Sequence, residues 1–333
     1  MDAVEARGLV KVYRSREKRG LLRRGPVREV TALRGVSFRV RRGEIFGLLG
    51  PNGAGKTTTI KILATLLIPD AGEAYVNGYS VLDEPERVRE SIGLTLSVER
   101  GFYWKLTGRE NLMFFARLYH IPEEEARERV DRLLELVGLS EAADKLVEEY
   151  SLGMKAKLSF ARALLPDAPV VMLDEPTLGL DPRSAREVRG AIRRLRREGK
   201  AVILTTHYMG EAEELSDRVA IIDRGRIVAE GSPEELKSRL GRGEVVVIRA
   251  ANLGDGVAEE LGGVDGVAKV SARSEDGVGV LRIALDRDGA SSLPEIMEVL
   301  VRNSVKIIHV SVEEPTLEDV FIELTGRPFE DEG

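Results

Sequence analysis

A glycine-rich segment at residues 50–57 combines residue types that suit the binding of an anion. Glycines let backbone N–H groups turn inward around phosphate oxygens, and the N-terminal end of a following helix attracts negative charge. A lysine near its end can contact the β- and γ-phosphates, and the next hydroxyl can ligate Mg²⁺. The spacing G-x-x-x-x-G-K-T therefore predicts a site for ATP and Mg²⁺. The predicted residues are Gly50, Pro51, Asn52, Gly53, Ala54, Gly55, Lys56, Thr57 and Thr58.

The segments on either side of this loop predict the strand and the helix that a phosphate-binding loop needs. Residues 44–50 read EIFGLLG, which is typical of a short apolar strand that ends in glycine. Residues 56–67 carry apolar side chains at helical spacing. The order strand, loop, helix places the loop at the edge of a mostly parallel sheet, and an ordinary glycine turn is the alternative.

Two acidic residues follow a second apolar strand. Asp174 ends the run Val170–Leu173, and Glu175 comes next. An acidic residue at a strand end beside a phosphate loop can anchor Mg²⁺, usually through water, so we predict this role for Asp174. We predict that Glu175 orients or deprotonates the attacking water. The alternative is a helix cap or a solvated acid pair.

The composition excludes several other classes of protein. The chain has 333 residues, no cysteine, three histidines and a net charge of −6. Disulfide scaffolds, thiolate metal sites and cysteine nucleophiles are therefore excluded, and an acidic chain disfavours nucleic acid as a partner. No apolar run approaches the roughly 20 residues that cross a bilayer, and the N-terminal residues lack the apolar stretch of a signal peptide. We therefore expect a soluble, intracellular protein.

The remainder of the chain predicts two domains. Residues 85–165 are mainly helical by pattern, with a T-x-x-E capping box at Thr107 and Glu110. The basic segment Arg14–Arg28 contains glycine and proline, which predicts a solvated loop, and a contact with anionic lipid or a partner is the alternative. From about residue 243 the order becomes β-α-β-β-α-β, followed by a helix that begins at the cap Thr316. We therefore predict domains at 1–240 and 243–330, joined near 240–244.

Four further segments accompany the acidic pair and the glycine-rich loop. YSLGMKAKLSFARAL occupies residues 150–164, LDEP 173–176, GLD 179–181 and TTH 205–207. In combination these motifs resemble the nucleotide-binding subunit of ABC transporters over about residues 5–240. The resemblance implies an α/β fold with a P-loop NTPase core, an antiparallel β piece and an inserted helical subdomain at about 85–165.

The resemblance also implies roles for single residues. Tyr13 matches the aromatic that stacks on adenine, with an ordinary strand tyrosine as the alternative. Ser151 and Gly153 match the motif that reaches the γ-phosphate across a dimer, and Ser151 also fits a plain helix cap. Asp181 matches the aspartate that links the two sites of the dimer. His207 matches the switch histidine at the γ-phosphate, with a satisfied strand-end histidine as the alternative.

One departure from the family affects the metal site. Family members carry a glutamine after a strand like Ser91–Leu96, where it contacts Mg²⁺ and water. Here Val98 or Glu99 occupies that place. Glu99 could ligate Mg²⁺ and Val98 could not, so slower hydrolysis or a different sensing of the γ-phosphate is expected.

The resemblance also implies partners. The aromatic segment GFYW at 101–104 and Phe114–Phe115 match a surface that receives a helix of a membrane partner, or they form a small core of the helical subdomain. The C-terminal βαββαβ, ferredoxin-like domain looks like the tail of the daunorubicin-resistance branch, which pairs with separate ABC-2 type permeases.

We therefore expect an ATPase motor of an exporter. It would act as a dimer with a second copy or a homologous subunit and lie in the cytoplasm at the inner face of the membrane. The alternatives are an ABC-type ATPase of nucleic-acid repair or translation, and a nucleotide-binding regulator that hydrolyses weakly.

Overall fold

The computed structural model describes residues 2–19, 23–96, 101–239, 245–254, 256–275, 278–285 and 289–326. Its contacts divide the chain into two compact units, Met1–Glu230 and Gly231–Asp331. The predicted link at residues 240–244 lies outside the described residues.

The first unit alternates strands and helices. Its strands are β1 (Asp2–Arg19), β2 (Arg23–Arg41), β3 (Ile45–Leu49), β4 (Ala71–Val76), β5 (Tyr79–Ser80), β6 (Ile92–Thr95), β7 (Val170–Asp174), β8 (Ala201–Thr206), β9 (Arg218–Asp223) and β10 (Arg226–Gly231). Its helices are α1 (Lys56–Leu63), α2 (Pro85–Glu90), α3 (Gly108–Leu118), α4 (Glu123–Leu136), α5 (Leu152–Leu164), α6 (Pro182–Arg197) and α7 (Met209–Leu215). Short 3₁₀ turns lie at Ser140–Ala142 and Val147–Glu149.

A central sheet holds the loop and the acidic pair. Its strand order is β10-β9-β3-β8-β7-β6, and the pairs β9–β3, β3–β8, β8–β7 and β7–β6 are parallel. Alternate side chains of one strand face opposite layers. On β7, Val171 and Leu173 belong to the apolar cluster with α5 and α6, whereas Val170 and Met172 belong to the cluster with α1. Both faces are therefore buried, which explains the continuous apolar runs in these strands.

A second, antiparallel sheet has the order β2-β1-β4-β5. The pairing of β1 with β2 continues from Ser15 opposite Arg28 to Arg19 opposite Arg23. The expectation of a loop across Arg14–Arg28 is therefore wrong over these pairs, because the two runs satisfy each other's backbone groups as antiparallel strands. Residues 20–22 of the expected loop lie outside the described residues. Composition alone did not show that pairing.

Helices α3, α4 and α5 form the predicted helical insertion. The capping box at Thr107 and Glu110 is confirmed, with each side chain bonded to the other's backbone N–H. Leu112, Val130 and Leu158 from the three helices lie in one apolar cluster. The predicted fold class, with its parallel core, antiparallel sheet and inserted helices, is confirmed.

The second unit contains helices on both faces of an antiparallel sheet. Its elements are α8 (Pro233–Ser238), β11 (Val245–Ala251), α9 (Val257–Leu261), β12 (Val267–Glu275), β13 (Val278–Leu285), α10 (Gly289–Arg302), β14 (Lys306–Glu313) and α11 (Leu317–Thr325). The strand order β12-β13-β11-β14 is that of a split βαβ arrangement. Leu281 and Ile283 pack in one cluster with α10. Arg282, between them, turns to the opposite face and pairs with Asp319 of α11 at 2.8 Å.

Candidate functional site

The glycine-rich loop lies between β3 and α1, at the carboxyl end of the central sheet. Its glycines are required by geometry at two positions. A Cβ on Gly50 would lie 2.2 Å from the Ile222 carbonyl oxygen. Gly55, the N-cap of α1, has φ +114°, and a Cβ there would lie 2.8 Å from the Ala32 carbonyl oxygen. At these two positions the backbone approaches its neighbours too closely for a side chain, and the loop amides lie at the N-terminus of α1, where an anion is favoured.

Lys56 is folded against the loop that precedes it. Its ammonium group donates to the carbonyl oxygens of Gly50 at 2.6 Å and Pro51 at 3.1 Å. The same nitrogen lies 3.6 Å from Glu175 Oε1, and the lysine side chain is only 4% exposed. A buried cation is thus held where phosphate oxygens would meet the loop amides.

Thr57 and Asp174 meet at the start of α1, as a shared metal site requires. The Thr57 hydroxyl donates to both carboxylate oxygens of Asp174, at 3.1 and 2.9 Å. The hydroxyl of Thr205 donates to Asp174 Oδ1 at 2.6 Å. Burial raises the pKa of Asp174 above its ordinary value, although the Thr205 and Thr57 hydroxyls oppose this shift. One hydroxyl and one carboxylate form the oxygen donor set that Mg²⁺ takes up beside a nucleotide, so the residues fit this ion.

Glu175 occupies a constrained backbone position. Its φ is +50°, in the left-handed region that non-glycine residues seldom adopt. The conformation is held because its N–H donates to the Thr205 carbonyl oxygen and hydroxyl, both at 3.1 Å. The carboxylate reaches His207, whose Nδ1 lies 3.1 Å from Glu175 Oε1. Strain of this kind often accompanies function, and here it directs the carboxylate toward both Lys56 and His207.

Tyr13 lies next to the first turn of α1. Its hydroxyl is 3.3 Å from the Thr58 hydroxyl, and the residue is 40% exposed. An aromatic ring with a free face is therefore available beside the glycine-rich loop. The structure thus brings Tyr13, Asp174, Glu175 and His207 to residues 50–58.

Ser151, Gly153 and Asp181 form a second cluster. Ser151 caps α5 and accepts a hydrogen bond from the Met154 N–H, while Asp181 caps α6. A Cβ on Gly153 would lie 3.6 Å from Asp181 Oδ2. Hydrogen bonds from the side chain and backbone of Ser184 hold the pKa of Asp181 below its ordinary value. Both helix starts therefore present exposed capping groups side by side.

The predicted aromatic surface is divided between core and solvent. Phe102 is buried and packs edge-to-face on Phe115, with ring centroids 6.4 Å apart. Tyr103 and Trp104 are about half exposed. The segment therefore supplies both a small core and an exposed aromatic face.

Some residues of the site escaped prediction, and others lie outside what the structure describes. Thr205 binds both Asp174 and Glu175, and only its place two residues before His207 could have indicated it. Val98 and Glu99, the candidates for the missing glutamine, lie outside the described residues.

A parallel sheet with a glycine-rich phosphate loop, a hydroxyl–carboxylate pair and a strand-end glutamate defines a P-loop nucleotide-hydrolysing protein. The chain matches the family model "ABC transporter" over residues 33–178. Residues 231–325 match "ATP-binding protein DrrA1-3-like, C-terminal domain".

Known proteins resemble the chain over most of its length. It is 42% identical to the daunorubicin resistance ATP-binding protein DrrA3 of Streptomyces coeruleorubidus, over 89% of this chain and 91% of the relative. It is also 42% identical to a fluoroquinolones export ATP-binding protein of Mycobacterium tuberculosis (strain CDC 1551 / Oshkosh), over 93% and 92% of the two chains. A dimeric ATP-binding cassette in a post-hydrolysis state, bound to ADP and Pi, matches with a TM-score of 0.59 and 25% identity, over 69% of this chain and 98% of its own.

The chain therefore belongs to the ABC transporter family, as an ATP-binding protein of the DrrA type, and it is an ATPase. Across the described ranges, none of the helices has the length and apolar character needed to cross a membrane.

Proposed function

We propose that this chain is the ATP-hydrolysing subunit of an exporter and that it drives a separate membrane permease. The observation that carries the proposal is the convergence of Lys56, Asp174, Glu175 and His207 at one end of the central sheet. The relatives named for drug resistance and drug export support the direction of transport.

ATP binds along the glycine-rich loop in this proposal. Gly50, Pro51, Asn52, Gly53, Ala54 and Gly55 supply backbone amides, and Thr58 lies at the first turn of α1. Lys56 exchanges the carbonyls of Gly50 and Pro51 for phosphate oxygens. The exposed ring of Tyr13, held beside Thr58, stacks on adenine. The close packing of Gly50 and Gly55 supports this assignment, because it fixes the loop backbone before the nucleotide arrives.

Thr57 and Asp174 hold Mg²⁺ in the proposed site. When bound, the ion neutralises negative charge on the phosphate oxygens. Asp174 is already surrounded by two hydroxyl donors, so its carboxylate is fixed in orientation. The raised pKa of Asp174 reflects an acid in a poorly hydrated position, where a neighbouring cation favours its ionised form.

Glu175 and His207 act on the reacting end of ATP. Glu175 accepts a proton from water, or orients that water, in line with the γ-phosphate. His207 contacts Glu175 and, in this proposal, the γ-phosphate. Positioning and charge stabilisation supply most of the catalysis in phosphoryl transfer, so the fixed backbone of Glu175 matters as much as its carboxylate.

Ser151, Gly153 and Asp181 complete the site of a second subunit in this proposal. The N-termini of α5 and α6 lie side by side, where they favour an anion and present exposed capping groups. ATP held between one loop and the opposite cluster bridges the subunits, and loss of the γ-phosphate lets them separate. The dimeric cassette among the similar structures supports this arrangement.

A permease of the ABC-2 type is the proposed membrane partner, and it keeps this chain at the inner face of the membrane. The exposed rings of Tyr103 and Trp104 support a docking surface for it, because aromatic side chains are frequent anchors at interfaces. The match of residues 231–325 to the DrrA-like C-terminal model supports the choice of permease type.

Phosphate release by purified protein tests the proposed role of Glu175. Glu175→Gln is expected to lower turnover about 10²- to 10⁴-fold, the usual contribution of a general base, while ATP binding persists. Glu90→Gln removes an exposed carboxylate at the end of α2 and is expected to leave turnover unchanged. Hydrolysis at the wild-type rate by Glu175→Gln would refute the assignment.

A further inference from the structure

Glu211 is a buried acid that the proposed mechanism does not use. It lies on α7, four residues after His207, and is 5% exposed. Its carboxylate accepts a hydrogen bond from the Thr177 hydroxyl at 2.6 Å. The Thr206 hydroxyl lies near enough to the same carboxylate to oppose the rise in its pKa. One buried carboxylate therefore joins two segments that are far apart in sequence.

The first of these segments leads from Glu175 to Asp181. The Leu178 N–H donates to the Glu175 carbonyl oxygen at 3.2 Å, and the Leu180 N–H donates to the Thr177 carbonyl oxygen at 3.1 Å. Two consecutive tight turns thus connect the two acids, with Thr177 between them. A shift of Thr177 therefore moves both Glu175 and Asp181.

The second segment carries His207. Thr206 precedes it directly, and the Thr206 hydroxyl accepts a hydrogen bond from the Tyr208 N–H at 3.0 Å. The backbone on both sides of His207 is thus tied to one hydroxyl, and α7, which carries Glu211, begins at Met209 just after this segment. Movement of Glu211 therefore changes the place of the histidine.

Burial of a carboxylate is costly unless hydrogen bonds offset it, and Glu211 has one from Thr177. Burial raises the pKa of Glu211, while the Thr177 and Thr206 hydroxyls oppose that shift. The nearby Arg189 guanidinium is bonded instead to Glu214, at 2.7 Å. The Thr177 donor to Glu211 is a neutral hydroxyl, which orients the carboxylate without balancing its charge.

We propose that Glu211 is a positioning residue that clasps the Glu175–Asp181 segment to the His207 segment. The clasp sets the distance between Glu175 and His207 in one subunit and the place of Asp181 at the dimer face. It thereby links the state of the γ-phosphate to the neighbouring site. The inference rests on the proposed function for its effect on turnover, but the clasp itself is a property of the fold.

Steady-state ATP hydrolysis by four single variants tests the clasp. Thr177→Val removes the hydroxyl at nearly constant volume, Thr177→Ser restores it, and Glu211→Ala removes the acceptor. Glu90→Gln is the control, because it removes an exposed carboxylate at the end of α2, outside these segments. We expect Thr177→Val and Glu211→Ala to lower kcat about 10- to 100-fold, the range produced by a misplacement of about 1 Å. KM should change less than about twofold, because the loop at 50–58 still holds the nucleotide.

A second measurement does not depend on turnover. Hydrogen–deuterium exchange of the full chain is expected to rise in residues 175–181 and in residues 206–211 together in Glu211→Ala. Thr177→Ser and Glu90→Gln should retain wild-type exchange and kcat. Thermal unfolding of each variant identifies the temperature range in which the fold is intact, and exchange is compared there.

The results separate this inference from the proposed function. Wild-type kcat and exchange in Thr177→Val would overturn the clasp while leaving the ATPase intact. An equal loss of kcat in Thr177→Ser and Thr177→Val would also overturn it, because the hydroxyl would then be irrelevant. A wild-type chain without turnover would contradict the proposed function. The clasp would then be tested by the joint rise in hydrogen–deuterium exchange of Glu211→Ala alone.

Discussion

Gly50→Ala tests whether the glycine-rich loop is held by close packing of backbone on backbone. The new methyl group would lie 2.2 Å from the Ile222 carbonyl oxygen and 3.0 Å from Ile222 Cγ2. Ile222 belongs to β9, which pairs with β3 through Leu49 opposite Ile221. The obstacle is therefore backbone within a parallel ladder, which cannot rotate away as a side chain can.

The size of the effect follows from this geometry. Ordinary van der Waals contacts begin at 3.4 Å, so β9 or the loop must move by about 1 Å in a densely packed interior. Insertion of one methyl group into a well-packed site costs about 1–3 kcal/mol. For a unit of this size, each kcal/mol lowers Tm by about 2–4 °C, so we expect a fall of about 2–12 °C. ATP affinity should fall as well, because the loop amides shift.

Calorimetric unfolding and ATP titration of the same variants measure both effects. Gly190→Ala is the matched control, because a Cβ there meets no atom within 4 Å and the residue lies inside α6. Replacing a glycine in a helix stabilises by about 0.5–1 kcal/mol, so this control should raise Tm slightly. Wild-type Tm and ATP affinity in Gly50→Ala would refute the packing argument.

Three further predictions concern other parts of the chain. Glu175→Gln should form an ATP-dependent dimer, which light scattering with and without ATP would show. Adding Ser151→Arg should abolish this dimer, because a bulky cation would block the N-terminus of α5 opposite the bound ATP. A dimer that persists in the double variant would contradict the prediction. Burial disfavours ionisation of Asp319, but hydrogen bonds from Arg282 and the Thr316 N–H prevail and hold its pKa below the ordinary value. The ionised carboxylate therefore stabilises the fold above its unfolded pKa, and this stabilisation is lost as pH falls through the folded pKa. Asp319→Asn should lower the free energy of unfolding by about 3 kcal/mol at neutral pH and by little in acid. A difference in unfolding free energy that does not change with pH would contradict this. Phe321→Ala should destabilise the C-terminal unit by about 3–5 kcal/mol, because the ring is 1% exposed; denaturant unfolding measures it, and a change below 1 kcal/mol would refute close packing there.

The local features of the site could be predicted from sequence because short-range order determines them. Residues 50–57 carry the glycines, the lysine and the hydroxyl in one run, and the flanking strand and helix follow from periodicity. The cap of α5 at Ser151 was likewise visible, since capping depends on residues two or three positions away.

The contacts that connect separate segments could not be predicted in the same way. Thr205 binds Asp174 and Glu175 because β7 and β8 are neighbours in register, with Asp174 opposite Thr205. The contact of Glu211 with Thr177 likewise requires α7 to lie beside the segment that follows β7. The pairing of Ser15–Arg19 with Arg23–Arg28 likewise joins two runs whose composition favours a loop. In each case the contact depends on how distant segments pack together rather than on the local residue pattern.

ATP titration of Lys56→Ala beside the wild-type chain tests the central claim most directly. Lys56 donates to the loop carbonyls and lies 3.6 Å from Glu175, at the point where the triphosphate would be held. Loss of a buried charge-assisted contact should weaken ATP binding by about 2–3 kcal/mol, or roughly 30- to 150-fold. An unchanged dissociation constant, measured by calorimetry on a folded variant, would contradict the assignment of residues 50–58 as the ATP site.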